Sequence, residues 1–282
     1  LDGQAPFLRR SLLPGLMAVA HRNLSRGFTD LALFEAGAVF LPEPGVQYGT
    51  DEVPLAAQRP SPETLAALAA AIPPQPRHVA VLLLGALVPK QPGQAAVATG
   101  IADALDAVRT IAAAVGVHVD VTQGTRPALH PGRTGILSIA GEVVGYVGEL
   151  LPAVAEAADL PAVVAVAELD LDRAIALSGG AVTAATLSTF TPATQDVSLV
   201  VPLDVPAAAV RQALLDGAGA LLEAARLVDD YRGEGMPEGS KSLSFALRFR
   251  APDRTLTSAE ASEAKLAGVA VASERFGARI RD

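Results

Sequence analysis

Apolar and polar positions fall into two differently patterned stretches along the chain. In the first, short runs rich in Val, Leu and Ala at residues 33–41, 78–87, 117–122, 135–140, 143–148 and 163–169 predict strands. Helical patterns lie between some of them. Ser61-Pro62-Glu63 supplies a cap followed by proline at the first helical position, predicting a helix over 61–71, and a long apolar-rich helix is expected over 94–115. Gly141 and Glu142 mark a tight hairpin turn, so the stretch reads as an antiparallel α+β domain.

The second stretch has a cleaner order. Residues 196–201 predict a strand, and 205–216 a helix with Asp204 as N-cap, Pro206 near its start and Gly217 at its end. Strands are expected at 225–231 and 242–250 around a Gly/Pro loop, 233–239. A helix over 258–276 follows, opened by a capping box in which Thr257 bonds the amide of Glu260 and Glu260 reaches back. A short strand at 278–281 completes βαββαβ, the ferredoxin-like split unit. Between the two stretches lies Ser178-Gly179-Gly180-Ala181-Val182-Thr183, continuing to Thr191-Pro192. This places a linker at 176–190 and domains at 1–177 and 188–282.

The strand over 242–250 is the most informative segment. Leu243, Phe245, Leu247 and Phe249 fall on one face; Ser242, Ser244, Ala246, Arg248 and Arg250 fall on the other. If helices cover one side of the sheet, the other is a solvated surface or a binding platform. Antiparallel pairing through the loop would bring Asp229 close to Ser242 and Ser244, with Tyr231 nearby. Such groups, hydrogen-bonding and stacking, suit the edges and faces of splayed single-stranded bases, and equally a hairpin whose polar ends cap each other.

Composition narrows the chemistry. With 282 residues, 50% hydrophobic and 18% charged, the chain is long enough for two globular cores. No run approaches the roughly eighteen apolar residues of a membrane span, so the protein is expected to act away from membranes, in the cytoplasm. The absence of cysteine excludes disulfides, thiolate metal sites and cysteine nucleophiles. The four histidines, His21, His78, His118 and His130, share no i, i+3 or i+4 spacing, so zinc has little support and His130, before Pro131-Gly132, reads as a turn residue. Leu1-Asp2-Gly3-Gln4 lacks the features of a signal peptide, and a chain that does not begin with Met is expected to be part of a longer one. A formal charge of −8 disfavours a broad grip on phosphate and leaves room for a local RNA contact. No Walker loop occurs, and no ATP-binding cluster can be assembled from the dispersed Arg and Glu.

Three blocks carry a family resemblance. Val228-Asp229-Asp230-Tyr231-Arg232-Gly233, then Pro237-Glu238-Gly239-Ser240-Lys241-Ser242-Leu243-Ser244, then Asp253-Arg254-Thr255-Leu256-Thr257 occur in order, and Gly277-Ala278-Arg279-Ile280-Arg281 closes the chain. Together they resemble the C-terminal domain of bacterial phenylalanyl-tRNA synthetase beta subunits, with the patterns Phe-Asp-x-Tyr-x-Gly, Pro-x-Gly-x-Lys-Ser-Leu and Asp-Arg-Thr-Leu-Thr. The resemblance implies a ferredoxin-fold anticodon-binding domain in which Asp229, Ser242 and Arg281 contact bases. Lys241 and Arg254 would hold the loop or approach phosphate, and Tyr231 would contribute to the RNA-binding surface or the core. Two departures stand out: Val228 replaces the usual Phe, and Gln195 stands where an Arg commonly precedes Asp196, which puts one interface or phosphate contact in question.

Upstream, Leu8-Arg9-Arg10-Ser11-Leu12-Leu13-Pro14-Gly15-Leu16, Phe34-Glu35-Ala36-Gly37, His130-Pro131-Gly132-Arg133 and Gly145-Tyr146-Val147-Gly148-Glu149-Leu150-Leu151-Pro152 are similar to the family's catalytic-like module, a class II synthetase-like antiparallel domain. Residues 89–98 fit poorly. The resemblance implies a non-catalytic portion of the beta subunit that scaffolds an alpha subunit in a heterotetramer and recognises phenylalanine tRNA. ATP and magnesium would serve the whole enzyme, with no cofactor or metal in this segment. The rival expectations are a stand-alone RNA-binding protein and a purely structural ferredoxin-like module.

Overall fold

A computed structural model of the chain describes residues 7–50, 54, 57–180 and 188–281. The chain divides into two compact units, residues 1–183 and 184–282. Residues 181–187 of the expected linker, and Leu1-Asp2-Gly3-Gln4, lie outside the described residues.

The first unit is built on a six-stranded antiparallel sheet. Its strands are β1 (Leu31–Ala38), β2 (Arg77–Leu84), β5 (Asp120–Gln123), β6 (Leu129–Ile139), β7 (Glu142–Leu150) and β8 (Val164–Asp170), in spatial order β1-β2-β8-β7-β6-β5. β2 and β8 are central, and Ala80, Leu82, Leu84, Val164 and Val166 face one side while Val79, Val81, Ala165, Ala167 and Leu169 face the other. Both sides are apolar because both are covered. Helix α1 (Leu13–Leu24) and the short α4 (Pro152–Ala157) pack on the first side, α3 (Ile101–Val115) and α5 (Leu171–Ala176) on the second. Helix α2 (Pro62–Ala70) begins as its sequence predicts, with Ser61 Oγ accepting from the amide of Thr64 at 3.2 Å.

Three local expectations change. The helix expected over 94–115 starts at Ile101, because the chain enters it extended: β3 (Ala86–Val88) pairs with β4 (Val97–Ala98), and the Gly100 amide donates to the Asp103 carboxylate at 2.8 Å. The hairpin turn sits at Ala140-Gly141, both at positive φ (50° and 83°), which fits a type I′ turn between β6 and β7. His130 lies within β6, where the register to β7 is interrupted between Leu129 and Thr134. Its ring Nδ1 accepts from the Gly132 amide, so the turn exists as a bulge inside the strand.

The second unit is a four-stranded antiparallel sheet with helices on one face. Strands β9 (Ala193–Pro202), β10 (Leu222–Tyr231), β11 (Ser240–Phe249) and β12 (Arg279–Ile280) lie in spatial order β10-β11-β9-β12, and α6 (Ala207–Ala218) and α7 (Ser258–Phe276) supply the layer. This is the βαββαβ arrangement expected. Val197, Leu199, Val201, Leu243, Phe245, Leu247 and Phe249 meet Leu214, Ala261 and Ala272 in the core between sheet and helices. The capping box opens α7: Thr257 Oγ1 accepts from the Glu260 amide at 3.3 Å, and Glu260 Oε2 accepts from the Thr257 amide at 2.9 Å.

Helix α6 differs from its prediction at both ends. Asp204 lies in the preceding turn, Pro206 occupies the N-cap position, and the helix runs through Gly217 to Ala218. Gly217 is therefore no stop signal. It is where α6 touches α7: a methyl group there would lie 2.5 Å from the Ala267 carbonyl oxygen, and one at Gly268 would lie 2.7 Å from that of Leu214.

The paired glycines make a test with a decisive sign. Intrinsic helix propensity favours alanine over glycine by about 1 kcal/mol in a helix interior, whereas overpacking costs about 1–3 kcal/mol. Gly268→Ala is expected to lower the urea midpoint of the second unit; a raised midpoint would show that the helices do not meet there.

Candidate functional site

In the first unit one cluster of titratable groups invites a catalytic reading. Glu168, on β8 and only 2 % exposed, accepts from Ser11 Oγ at 2.5 Å, the Leu12 amide at 3.2 Å and Tyr146 hydroxyl at 2.8 Å, and pairs with His78 Nδ1 at 2.8 Å. A serine, a histidine and a carboxylate thus meet, but in the wrong order for a nucleophile. Ser11 and His78 both bond the carboxylate and not each other, so no base faces the serine hydroxyl. The far nitrogen, His78 Nε2, is buried with no partner among the described residues. Burial alone would push the Glu168 pKa up, yet the bonds from His78, Ser11, Tyr146 and Leu12 together hold it below its ordinary value of 4.5. Burial, then the Glu168 charge, pushes the Tyr146 phenol up and keeps it a donor. The cluster pins the start of α1 to the sheet. Next to it is an open cavity of about 730 Å³ with walls that include Leu13, Met17, Leu150 and Val154, and Arg126 in that wall stacks 4.1 Å from the Tyr146 ring centre.

In the second unit the sheet face opposite the helices gathers the residues that the sequence singled out. Strand alternation alone would not deliver them. Between Leu227, opposite Phe245, and Asp229, opposite Ser244, Val228 is an extra residue in β10. This bulge resets the parity of the strand and turns Asp229 and Tyr231 to the open face. Two rows then cross the sheet. Tyr231, Ser242, Val200 and Arg279 stand side by side; so do Asp229, Ser244 and Ser198, and the Ser198 carbonyl accepts from the Arg281 amide at 2.9 Å.

Within this lattice the Ser198 and Ser244 hydroxyls lie 2.8 Å apart. The Tyr231 hydroxyl donates to the Glu234 carbonyl at 3.0 Å, and the ring closes against Gly233, where a methyl group would fall 2.4 Å from the phenol oxygen. The Arg281 guanidinium stacks over the same ring, 5.2 Å from its centre. Ser242 is 1 % exposed, and its Oγ has no hydrogen-bond partner among the described residues. Asp229 and Arg281 are exposed.

The face thus brings together Asp229, Tyr231, Ser242 and Arg281 but neither Lys241 nor Arg254. Lys241 shares the parity of Leu243, on the helix-covered side, and is 4 % exposed. With Arg232, whose bond comes first, its charge keeps the Asp230 carboxyl below the ordinary range. Arg254 pairs with Glu260 at 2.9 Å beside the start of α7. Gln195 is also on the covered side, where its amide donates to Ser262 Oγ at 2.8 Å, so the departure at this position leaves the open face untouched. Ser198 and Arg279 were not singled out by sequence; only the register of β9 with its neighbours reveals them.

Comparison with known proteins matches both units. The family model of the phenylalanyl tRNA synthetase beta chain CLM domain covers residues 1–171, and that of the ferredoxin-fold anticodon binding domain covers 188–281. The chain is 58% identical over 286 residues to the phenylalanine–tRNA ligase beta subunit of Leifsonia xyli subsp. xyli, covering 100% of this chain and 33% of that protein. It is 46% identical to the beta subunit of Streptomyces avermitilis and 44% to that of Thermobifida fusca, again over 100% of this chain and 34% of each relative. The chain therefore spans about a third of the length of these relatives. Among solved structures, a pyrrolysyl-tRNA synthetase from Desulfitobacterium hafniense aligns with 60% of this chain and 48% of its own, at 13% identity and a TM-score of 0.38.

The buried carboxylate gives the first unit a pH signature. Since the Glu168 pKa is lowered on folding, its contribution is complete above about 4.5 and is lost as pH falls below that value. Glu168→Gln is expected to cost about 1–3 kcal/mol at pH 7, as for a buried group losing its partner. Denaturation measured from pH 7 to pH 3 should show the gap between variant and parent narrowing below pH 4.5; a constant gap would mean that the charge of Glu168 contributes nothing.

Proposed function

We propose, from the premise that this chain belongs to the phenylalanyl-tRNA synthetase beta chain family, that its second unit recognises the anticodon of phenylalanine tRNA while the first scaffolds an alpha subunit. The observation that carries the reading is the convergence of Asp229, Tyr231, Ser242 and Arg281 on the open face of a unit matching the ferredoxin-fold anticodon binding domain. Asp229 offers a carboxylate to amino and imino groups of a base edge, Ser242 a hydroxyl that donates or accepts, Tyr231 a ring, and Arg281 a guanidinium. The chain acts here as part of a phenylalanine–tRNA ligase that joins phenylalanine to its tRNA in the cytoplasm.

Adenylation, with ATP and magnesium, is assigned to the alpha subunit. Glu168, the buried carboxylate of the sheet in the first unit, is already saturated by its donors and does not fit a cation. The scaffolding role is supported by apolar surface on the first unit: Phe28 and Phe34 are exposed, the latter by 76 %, and the cavity beside α1 is largely apolar. A stand-alone RNA-binding protein has less support. Tyr231 is the one aromatic on the open face among the described residues, and a chain of charge −8 has little non-specific hold on RNA.

The test is direct binding of this chain to phenylalanine tRNA and to a tRNA with an unrelated anticodon. Asp229→Ala is expected to weaken binding to phenylalanine tRNA by about 1–3 kcal/mol, whereas Arg254→Ala, away from the lattice, should leave it nearly unchanged. Equal affinity for the two tRNAs would sink the reading.

A further inference from the structure

Arg281 follows β12, at one edge of the sheet, and Tyr231 ends β10, at the other, yet their side chains meet. Adjacent strands lie about 4.8 Å apart, so the stack bridges some 14 Å across β9 and β11. Between its ends lies Ser242, on β11 directly beside Tyr231. That position explains how a serine on the uncovered face of a sheet comes to be 1 % exposed, with a hydroxyl that reaches neither water nor a protein partner among the described residues. The roof is lightly held. Arg281 makes no salt bridge among the described residues; its amide bond to Ser198 fixes the backbone and leaves the side chain free to turn.

We propose that Arg281 is a displaceable cover: without RNA its guanidinium occupies the Tyr231 ring and hides Ser242, and an unpaired nucleobase takes its place on the ring and meets the uncovered hydroxyl. The proposal rests on the anticodon reading of this face and adds an order of events to it. A cation and a base compete for one aromatic surface, since both stack on a tyrosine ring. Once displaced, the guanidinium stands at the sheet edge with Arg279, where it can meet the phosphate of the same strand. The base that opens the cover must also bond Ser242. Stacking alone would exchange one contact for another and leave the hydroxyl unpartnered.

The lack of cysteine in this chain makes the cover measurable. Ser242→Cys places a single thiol beneath it, and its rate of reaction with a maleimide, without RNA, reports opening. The thiol should react slowly in that variant and several-fold faster when Arg281→Ala is added. Arg281→Lys, which keeps the charge and loses the planar stack, should also be faster, separating the cover from electrostatics. Identical rates in all three would overturn the cover. The exchange is read by ¹⁹F spectra of the otherwise unaltered chain carrying fluorotyrosine at its three tyrosines, with the Tyr231 signal assigned through Tyr231→Phe. An anticodon stem–loop of phenylalanine tRNA should move that signal and leave Tyr48 and Tyr146 in place. Binding that leaves the Tyr231 signal unmoved overturns the exchange. Failure of the stem–loop to bind at all defeats the anticodon reading and the exchange with it, while the thiol rates still decide whether the cover exists.

Discussion

Everything proposed for the open face depends on one constraint: a strand residue belongs to one side of its sheet or the other, and a single inserted residue reverses the assignment of all that follow. In β10 the inserted residue is Val228. Without it Asp229 would stand opposite Leu243 and point at the helices, Asp230 would take the open position, and Tyr231 would face the core. The bulge gives the open face its carboxylate and its only aromatic ring. It also sends Asp230 to the covered side, beside Lys241, where Arg232 and Lys241 hold it ionised. Two neighbouring aspartates thus serve different purposes by position alone.

This explains what the sequence could and could not reveal. The alternation in 242–250 is legible because β11 is regular, paired on both sides and half buried. The capping box at Thr257 and the cap at Ser61 are legible because each is a local exchange of hydrogen bonds within a few residues. The bulge has no such local mark: Val228 fits a strand whether it is paired or extruded. Gly217 reads as a helix stop until Gly268, fifty residues away, shows that both glycines are needed for close helix contact. Lys241 and Ser242 adjoin in sequence and therefore must face opposite ways, so a motif containing both can place only one on a given surface. Ser242 posed the hardest case. Its concealment comes from a side chain arriving from the far edge of the sheet, a contact that no pattern in its own strand announces.

The two units use their sheets in opposite ways. Both faces of the six-stranded sheet are covered, and the polar group at its heart, Glu168, holds α1 in place. Burial of such a carboxylate is unfavourable unless its lone pairs are filled, and here donors from the α1 approach, β2 and β7 fill them. A sheet so occupied has no free surface for RNA and suits a supporting part. The four-stranded sheet has one covered face, and all of the expected base contacts that converge are on the other.

The energetics of the cover bear on selectivity. An exposed cation–π contact contributes about 0.5–1 kcal/mol, while a buried hydroxyl left without a partner costs about 1–3 kcal/mol. The closed arrangement of Arg281 over Tyr231 is therefore balanced against the dissatisfaction of Ser242 beneath it, and the balance is small enough to tip. A ligand that only stacks gains what the guanidinium loses and keeps the unpartnered hydroxyl. One that stacks and bonds Ser242 removes the penalty as well, so the gain is conditional on the base edge. Sites that leave buried polar groups unpaired against the wrong ligand discriminate more strongly than those that rely on shape. A hydroxyl kept dry and unbonded until the right base arrives is such a site, and it allows a chain with an overall negative charge to read RNA locally without gripping it broadly.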